Sequence, residues 1–239
     1  TSKSQSGQAR NGVMTFEECW EIGNWVFEDD EDNEKMKAFV DGRSVISELT
    51  EEECKECKDS ARQKAKMKGS YYGNFAQSNF TTGTKGELGV LNYLHKVKPF
   101  SHYDYHKNQI LSVKPYGDGG VDIEWGGRRI DVKTTGSEYG PLIADCFRQK
   151  ADLYILAHLK FDGFNRQRGR TMYSDPDRVF IYGFLLADEF YESYEKDGRS
   201  YLKRASHYYR RGSKKLGPPN DYQASCWVLR PMDEIEEVM

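Results

Sequence analysis

The pattern of apolar and polar positions is clearest between residues 121 and 134. In residues 121–125 apolar side chains alternate with acidic ones, and in residues 129–134 the charged residues Arg129, Asp131 and Lys133 alternate with Ile130, Val132 and Thr134. A period of two is typical of a strand with one buried face. Gly126 and Gly127 separate the two segments, and a two-residue glycine loop suits a type I′ or II′ turn. The pattern therefore predicts a β-hairpin whose strands pair residue by residue outward from the turn.

The predicted hairpin brings charged side chains together on one face. Counting outward from the turn, Asp122 lies opposite Asp131, and Lys133 follows on the same face. Like charges that face each other destabilise a sheet, whereas a divalent cation between them converts repulsion into coordination. Two carboxylates suit Mg²⁺, and the lysine supplies a positive charge for a phosphate. The alternative is a solvated face on which Glu124 and Arg129 form an ordinary cross-strand ion pair.

Two later segments, 152–161 and 178–185, are apolar almost throughout. Such continuous hydrophobicity predicts strands at the centre of a sheet that is covered on both faces. His158 lies inside the first segment, and we expect it to be a hydrogen-bonded core histidine rather than a catalytic one.

Capping-box patterns, in which a threonine precedes a glutamate by three residues, predict three helix starts. They are Thr15/Glu18, Thr50/Glu53 and Thr84/Glu87. The first two predict helices over 15–25 and 51–68, and the third predicts a helix that begins at Thr84. Pro141 suits a first helical turn and predicts a further helix over 141–150.

These elements predict an α/β protein with a mixed central β-sheet flanked by helices. Composition changes near residue 70, which divides the chain into a helical, acidic N-terminal extension (1–69) and a main domain (70–239). The first dozen residues are expected to be disordered. Residues 28–34 contain six acids in seven positions, which predicts a solvated loop or, alternatively, a segment that covers a basic groove.

Asp122, the short hairpin and the run Asp131-Val132-Lys133 resemble the D…(D/E)-x-K signature of the PD-(D/E)xK, or restriction-endonuclease-like, nucleases. Val121 stands where a proline usually precedes the first aspartate. The resemblance covers roughly residues 80–185 and implies a restriction-endonuclease-like core that hydrolyses DNA with Mg²⁺ or Mn²⁺. It also implies that Asp122 and Asp131 hold the metal, while Lys133 stabilises negative charge on the phosphate.

The resemblance implies two further site residues. In that family a glutamate on the helix before the hairpin often completes the metal site, and Glu87 matches it. Glu87 shares a helical stripe with Leu91 and Leu94, which should face the sheet; otherwise it only caps the helix. Some members place a glutamine from the following helix near the nucleic acid or the attacking water. Gln149 matches that position, and the alternative is a surface glutamine.

The net charge of −3 means that a DNA-binding surface has to be local. Two basic segments are candidates for contact with phosphates, and tyrosines in the second can stack on bases. The first is a Gly-containing loop with Arg166, Arg168 and Arg170. The second contains Lys203, Arg204, Arg210, Arg211, Lys214 and Lys215. The alternative for both is a charged surface loop.

Five cysteines without a regular framework predict a reducing, cytoplasmic compartment. Cys54-x-x-Cys57 has no second pair, so a zinc or redox site there is not favoured. No run of about 18 apolar residues exists, so no membrane-spanning helix is expected. The sequence predicts a Mg²⁺-dependent deoxyribonuclease, an endonuclease, with DNA as its partner, and it allows a homodimer. Two alternatives stay open: a non-catalytic nucleic-acid-binding protein on the same fold, and an enzyme acting on sugar or nucleotide phosphates.

Overall fold

An α/β fold with a mixed central sheet is present, as the sequence predicts, and the sheet has five strands. The structure is a computed structural model that describes residues 30–67, 73–113, 121–136, 139, 142–145, 151–159, 165–167, 170–172, 177–192, 203–204, 221–224, 226 and 229–239. The helices are α1 (Asp30–Arg43), α2 (Glu51–Met67), α3 (Gly73–Val97), α4 (Tyr103–Leu111) and α5 (Ala187–Glu192), and Met232–Val238 forms a 3₁₀ helix. The strands are β1 (Val45–Glu48), β2 (Ile123–Trp125), β3 (Arg128–Thr135), β4 (Leu142–Asp145), β5 (Leu153–Leu159), β6 (Asn165–Gln167), β7 (Arg170–Met172), β8 (Arg178–Leu186), β9 (Lys203–Arg204) and β10 (Asp221–Ala224).

The central sheet has the strand order β1-β8-β5-β3-β2. β3 and β5 run parallel, and the other neighbouring pairs are antiparallel. Every residue of β5 is buried, because this strand lies in the middle of the sheet with side chains packed on both faces. The predicted central strands are therefore confirmed as β5 and β8.

Helix α3 crosses the first face of the sheet, where Leu88, Leu91 and Leu94 pack against apolar residues of β3, β5 and β8. Two glycines allow this close approach. A Cβ at Gly86 would lie 2.8 Å from the Cβ of Thr134, and one at Gly89 would lie 2.7 Å from the Cβ of Val179. The second face is covered by Val40 of α1 and Leu142 of β4, among others. Among the described residues, one core therefore lies on each face of the sheet.

The predicted start of α2 is confirmed in detail. Thr50 N–H donates to Glu53 Oε2 at 2.8 Å, and Glu53 N–H donates to Thr50 Oγ1 at 3.2 Å, which is a reciprocal capping box. Cys54 and Cys57 lie on the buried face of this helix and join the first core as thiols. Burial raises the pKa of Cys57 to about 12, so this thiol has a packing role.

The prediction that a helix begins at Thr84 is wrong, because α3 already begins at Gly73. Thr84 is buried in the middle of the helix, where its hydroxyl accepts a hydrogen bond from Lys64 Nζ at 3.2 Å. The residues before it are held in the helix, and Thr81 Oγ1 donates back to Gln77 O at 2.8 Å. A local capping pattern cannot override eleven preceding helical residues.

The predicted helix over 141–150 is wrong at residues 142–145, which form strand β4. β4 pairs antiparallel with β10 and builds a second, three-stranded sheet with β9. Leu142 is fully buried against the second face of the central sheet. A partner almost eighty residues later decides this conformation, so the local helical spacing is overridden.

The acidic run 28–34 is not a loop over its described part, because residues 30–34 form the first turns of α1. Acidic residues at a helix N-terminus interact favourably with the helix dipole. Glu34 also pairs with Lys37 at 2.6 Å, one turn along the helix. Residues 28 and 29 lie outside the described residues, and so do the predicted helix over 15–25 and the first dozen residues.

The described part of residues 1–69 belongs to the central sheet and its core. β1 pairs antiparallel with β8 as the outer strand, and α2 packs along α3. Leu49, Cys54 and Cys57 contribute to the same core as the sheet. No helix within the described ranges is long and apolar enough to cross a membrane.

Candidate functional site

The β2–β3 hairpin has the predicted turn and register. Gly126 and Gly127 have φ angles of 57° and 82°, which are the left-handed values that a type I′ turn requires at both positions. Outward from the turn, Trp125 pairs with Arg128, then Glu124 with Arg129 and Ile123 with Ile130. The hairpin is therefore confirmed up to the pair that contains Ile123.

The ladder of the hairpin ends with the pair Ile123–Ile130, so Asp122 does not continue it to the predicted pairing with Asp131. Its backbone N–H donates to Ile130 O at 2.9 Å, and its Oδ2 accepts the N–H of Val132 at 2.7 Å. The predicted direct pairing of Asp122 with Asp131 is therefore wrong. Two carboxylates facing each other would repel, whereas a carboxylate bonded to a backbone N–H stays beside β3 at lower cost.

Asp131 and Lys133 project from the same face of β3, as the two-residue period of a strand requires. Lys133 Nζ donates to Asp131 Oδ1 at 2.6 Å. Only 11% of the Asp131 side chain is exposed, whereas Lys133 keeps 35% of its side chain exposed. Val132, which binds the Asp122 carboxylate, lies between them. The structure thus brings Asp122, Asp131 and Lys133 together, and we call these three residues the hairpin site.

The pKa of Lys133 is raised even though the side chain is partly buried. Burial alone would lower it, but the attraction and hydrogen bond to Asp131, followed by the attraction to Asp122, outweigh the burial. An ordinary lysine is already protonated at neutral pH, and a raised pKa strengthens that state. Lys133 is therefore a positive charge in the hairpin site rather than a proton acceptor.

Tyr154 is a neighbour of the hairpin site that the sequence does not single out. It lies beside Asp131 in the parallel β3–β5 register, and only 1% of it is exposed. It also interacts electrostatically with Lys133 and contributes to the raised pKa of that lysine. The apolar run of β5 hides this position, because only the register of β3 against β5 shows which of its residues meets Asp131.

Arg129 forms its ion pair with Asp152 rather than with Glu124, which was its partner in the alternative interpretation of the hairpin. The Arg129 side chain donates to both carboxylate oxygens of Asp152, at 3.2 and 2.8 Å, and its backbone N–H donates to the same group at 2.8 Å. These hydrogen bonds lower the pKa of Asp152 and raise that of Arg129. Asp152 immediately precedes β5, so the parallel pairing of β3 with β5 brings it to Arg129.

Glu87 is not an N-terminal cap, because it lies in the middle of α3. Gly86, next to Glu87 in α3, contacts Thr134. Because adjacent residues of a strand point to opposite faces, α3 packs on the face of the sheet opposite to Lys133 and Asp131. Among the described residues, no three histidine, cysteine or acidic side chains form a group that would hold a metal ion. The structure therefore does not gather Glu87 with both aspartates, and its role in catalysis stays a prediction.

The other predicted site residues are only partly described. Arg166 and Arg170 lie in a β6–β7 hairpin, so the expected loop is at least partly a paired ribbon. Lys203 and Arg204 form strand β9, which pairs with β10. Gln149, Arg168, Arg210, Arg211, Lys214 and Lys215 lie outside the described residues.

His158 occupies a core position, as predicted. It is 3% exposed, its Nδ1 lies 3.2 Å from Thr135 O, and its ring stacks on Tyr182 with centroids 5.5 Å apart. Tyr182 stacks in turn on Tyr139, which has a left-handed φ of 53°. The Tyr139 hydroxyl donates to Asp41 Oδ2 at 2.8 Å. This column of rings joins Asp41 of α1 to Tyr139, Tyr182 and His158.

Comparison of the chain with protein-family models, with curated proteins and with solved structures gives no match in any of the three.

Proposed function

We propose that the protein is a Mg²⁺-dependent deoxyribonuclease, an endonuclease with a restriction-endonuclease-like core. The observation that carries the proposal is the convergence of two aspartates and a lysine on a defined hairpin. Asp122 is fixed by the Val132 N–H, and Asp131 is fixed by Lys133, within three consecutive residues of β3. A purely structural hairpin has little need for a half-exposed lysine beside two acids.

The donor set of the hairpin site fits Mg²⁺. This ion prefers oxygen ligands and is commonly held by one or two carboxylates, with water and substrate phosphates completing its shell. Two aspartates are therefore sufficient, and Glu87 is not required as a third ligand. Mn²⁺ accepts the same oxygen donors. When bound, the ion would activate a water molecule and offset negative charge on the phosphate.

The residues of the chain would divide the remaining work. Asp122 and Asp131 would hold the ion, and the backbone contact of Asp122 would keep its carboxylate at a fixed distance from β3. Lys133 would stabilise the negative charge that grows on the phosphate oxygens, since its raised pKa keeps it protonated. No covalent enzyme intermediate is needed. The basic residues predicted around 166–170 and 203–215 would bind the DNA backbone.

The experiment is cleavage of supercoiled, linear and branched DNA by the purified protein in Mg²⁺, Mn²⁺ or EDTA. We expect cleavage that needs the metal and falls by at least about 100-fold in Asp131→Asn and Lys133→Met, because each removes a charge that acts on the transition state. Asp122→Asn is expected to behave in the same way. Far-UV circular dichroism and thermal melting establish that each variant is folded.

Matched controls come from the same strands. Arg129→Met and Asp152→Asn remove an equivalent ion pair of β3 that is not part of the hairpin site, and both should cleave DNA within about twofold of the wild type. Glu87→Gln in a Mg²⁺ titration decides whether Glu87 supports the metal from α3. Full activity of a folded Asp131→Asn or Lys133→Met protein would overturn the proposal.

A second candidate is a nucleic-acid-binding protein that does not cleave. It is favoured by one observation: an oxygen of Asp122 and an oxygen of Asp131 already accept hydrogen bonds from the protein. A site closed in this way stabilises the hairpin without an ion. This candidate predicts DNA binding that is indifferent to EDTA and no cleavage under any of the metal conditions.

A further inference from the structure

The Asp131–Lys133 contact occupies one of the two carboxylates that would hold the cation. Lys133 Nζ lies 2.6 Å from Asp131 Oδ1, and the Asp131 side chain is almost enclosed. A Mg²⁺ or Mn²⁺ ion that coordinates a carboxylate oxygen sits roughly 2.1 Å from it. An ammonium and a divalent ion at those distances from one carboxylate are close enough to repel strongly.

The two other members of the arrangement differ in their freedom to move. Asp122 is tied to the Val132 N–H by a hydrogen bond that is part of the hairpin. Lys133 has a flexible four-carbon stem, and 35% of its side chain is exposed, compared with 11% of the Asp131 side chain. When a cation binds, the repulsion between it and the Lys133 ammonium would therefore be relieved by movement of Lys133 rather than of Asp122.

We propose that Lys133 holds the cation position on Asp131 in the metal-free protein, and that an arriving cation displaces it toward the substrate phosphate. This inference rests on the proposed function and adds an order of events to it. The cation binds first, and the lysine becomes available to the phosphate as a result. Lys133 thereby couples metal binding to DNA binding, and such coupling is reciprocal by thermodynamic linkage.

The direct test is Mn²⁺ binding to the DNA-free protein, measured by isothermal titration calorimetry on the wild type, Lys133→Met and Arg129→Met. In the wild type, Mn²⁺ has to displace the Lys133 ammonium from Asp131, which lowers the affinity for Mn²⁺. Lys133→Met should therefore bind Mn²⁺ roughly tenfold more tightly than the wild type. Arg129→Met removes the same charge from the same strand, yet its affinity should stay within about twofold of the wild type. Lys133→Gln serves as a second variant if Lys133→Met does not fold.

A second readout follows the lysine to the DNA. In the wild type, Mn²⁺ should increase the affinity for a duplex whose linkages resist hydrolysis, as measured by fluorescence anisotropy. In Lys133→Met this gain should shrink, because the displaced ammonium is missing. An equal gain in both proteins would overturn the coupling.

The outcomes separate this inference from the proposed function. Mn²⁺ affinity in Lys133→Met that equals or falls below the wild-type value overturns displacement, even if the wild type cleaves DNA. Tighter Mn²⁺ binding in Lys133→Met without any DNA cleavage by the wild type supports displacement and overturns the nuclease. Absence of Mn²⁺ binding in both proteins overturns both.

Discussion

Strand β3 carries two ion pairs that look alike and sit in different surroundings. Lys133 meets Asp131 at 2.6 Å, and Arg129 meets Asp152 at 2.8 Å. In the first pair 35% of the cation and 11% of the acid are exposed; in the second the values are 48% and 28%. Distance therefore does not distinguish them, but access to water does.

The partners of each pair explain the difference. Arg129 gives Asp152 three hydrogen bonds, which tie the start of β5 to β3. Lys133 instead donates a hydrogen bond to Asp131 and is also attracted by Asp122, so its positive charge interacts with two carboxylates. The Arg129–Asp152 pair holds two strands together at the surface, whereas the Asp131–Lys133 pair is more enclosed, so water and salt screen its charges less. We therefore propose the functional site at the Asp131–Lys133 pair rather than at the Arg129–Asp152 pair.

The Gly86→Ala variant is expected to give the largest difference between the surroundings of the Asp131–Lys133 pair and those of the Arg129–Asp152 pair. Thr134, the neighbour of Lys133, touches α3 so closely that Gly86→Ala must shift the helix or the strand. We expect a loss of about 1–3 kcal/mol in the free energy of unfolding. Cleavage by the folded protein should also fall by about 100-fold, because a small displacement of reacting groups is costly.

Gly89→Ala is the matched control for that experiment. It creates a clash of similar size with Val179 of β8, two strands away from β3. Its loss of stability should be comparable, while cleavage per folded molecule should stay near the wild-type value. Equal losses of activity in both variants would mean that the α3–β3 contact has no special relation to the hairpin site.

Double-mutant cycles compare the two pairs directly. We expect a coupling of about 1 kcal/mol between Asp131 and Lys133, at the upper end for partly exposed pairs. It should largely persist in 1 M NaCl, because enclosed charges are screened less than exposed ones. The Arg129–Asp152 coupling should be smaller and should vanish in salt. Urea unfolding of the single and double variants measures both coupling energies. If salt weakened the two coupling energies equally, the Asp131–Lys133 pair would not be the more enclosed one.

The hairpin could be predicted because everything that defines it is local. Alternation gives the two strands, and Gly126 and Gly127 give the turn and thus the register. The point at which the ladder ends is not local in that sense. It depends on whether Asp122 binds the Val132 N–H or faces Asp131, and the repulsion between two carboxylates decides this only once both strands are in place.

Two identical capping patterns show the same limit. Thr50 and Glu53 form a reciprocal cap, whereas Thr84 and Glu87 lie inside a long helix. The four-residue pattern is satisfied in both places, and only the state of the preceding residues distinguishes them. β4 was missed for a related reason, since its partner β10 lies far away along the chain. Elements that depend on distant partners therefore escape a reading of local pattern.

Acid titration gives the smallest of the expected differences between the two pairs, and it concerns Asp152. Hydrogen bonds from Arg129 hold the pKa of Asp152 below its usual value. A lowered folded-state pKa stabilises the protein above the unfolded-state value and ceases to do so as pH falls through the folded-state value. The stability difference between wild type and Asp152→Asn should therefore be constant above about pH 5 and shrink below about pH 4. Urea unfolding between pH 6 and pH 2 at low salt measures it, with Arg129→Met expected to show the same trend. A difference that is unchanged at the lowest pH at which the protein still folds would mean that Asp152 acts through packing and not through its charge.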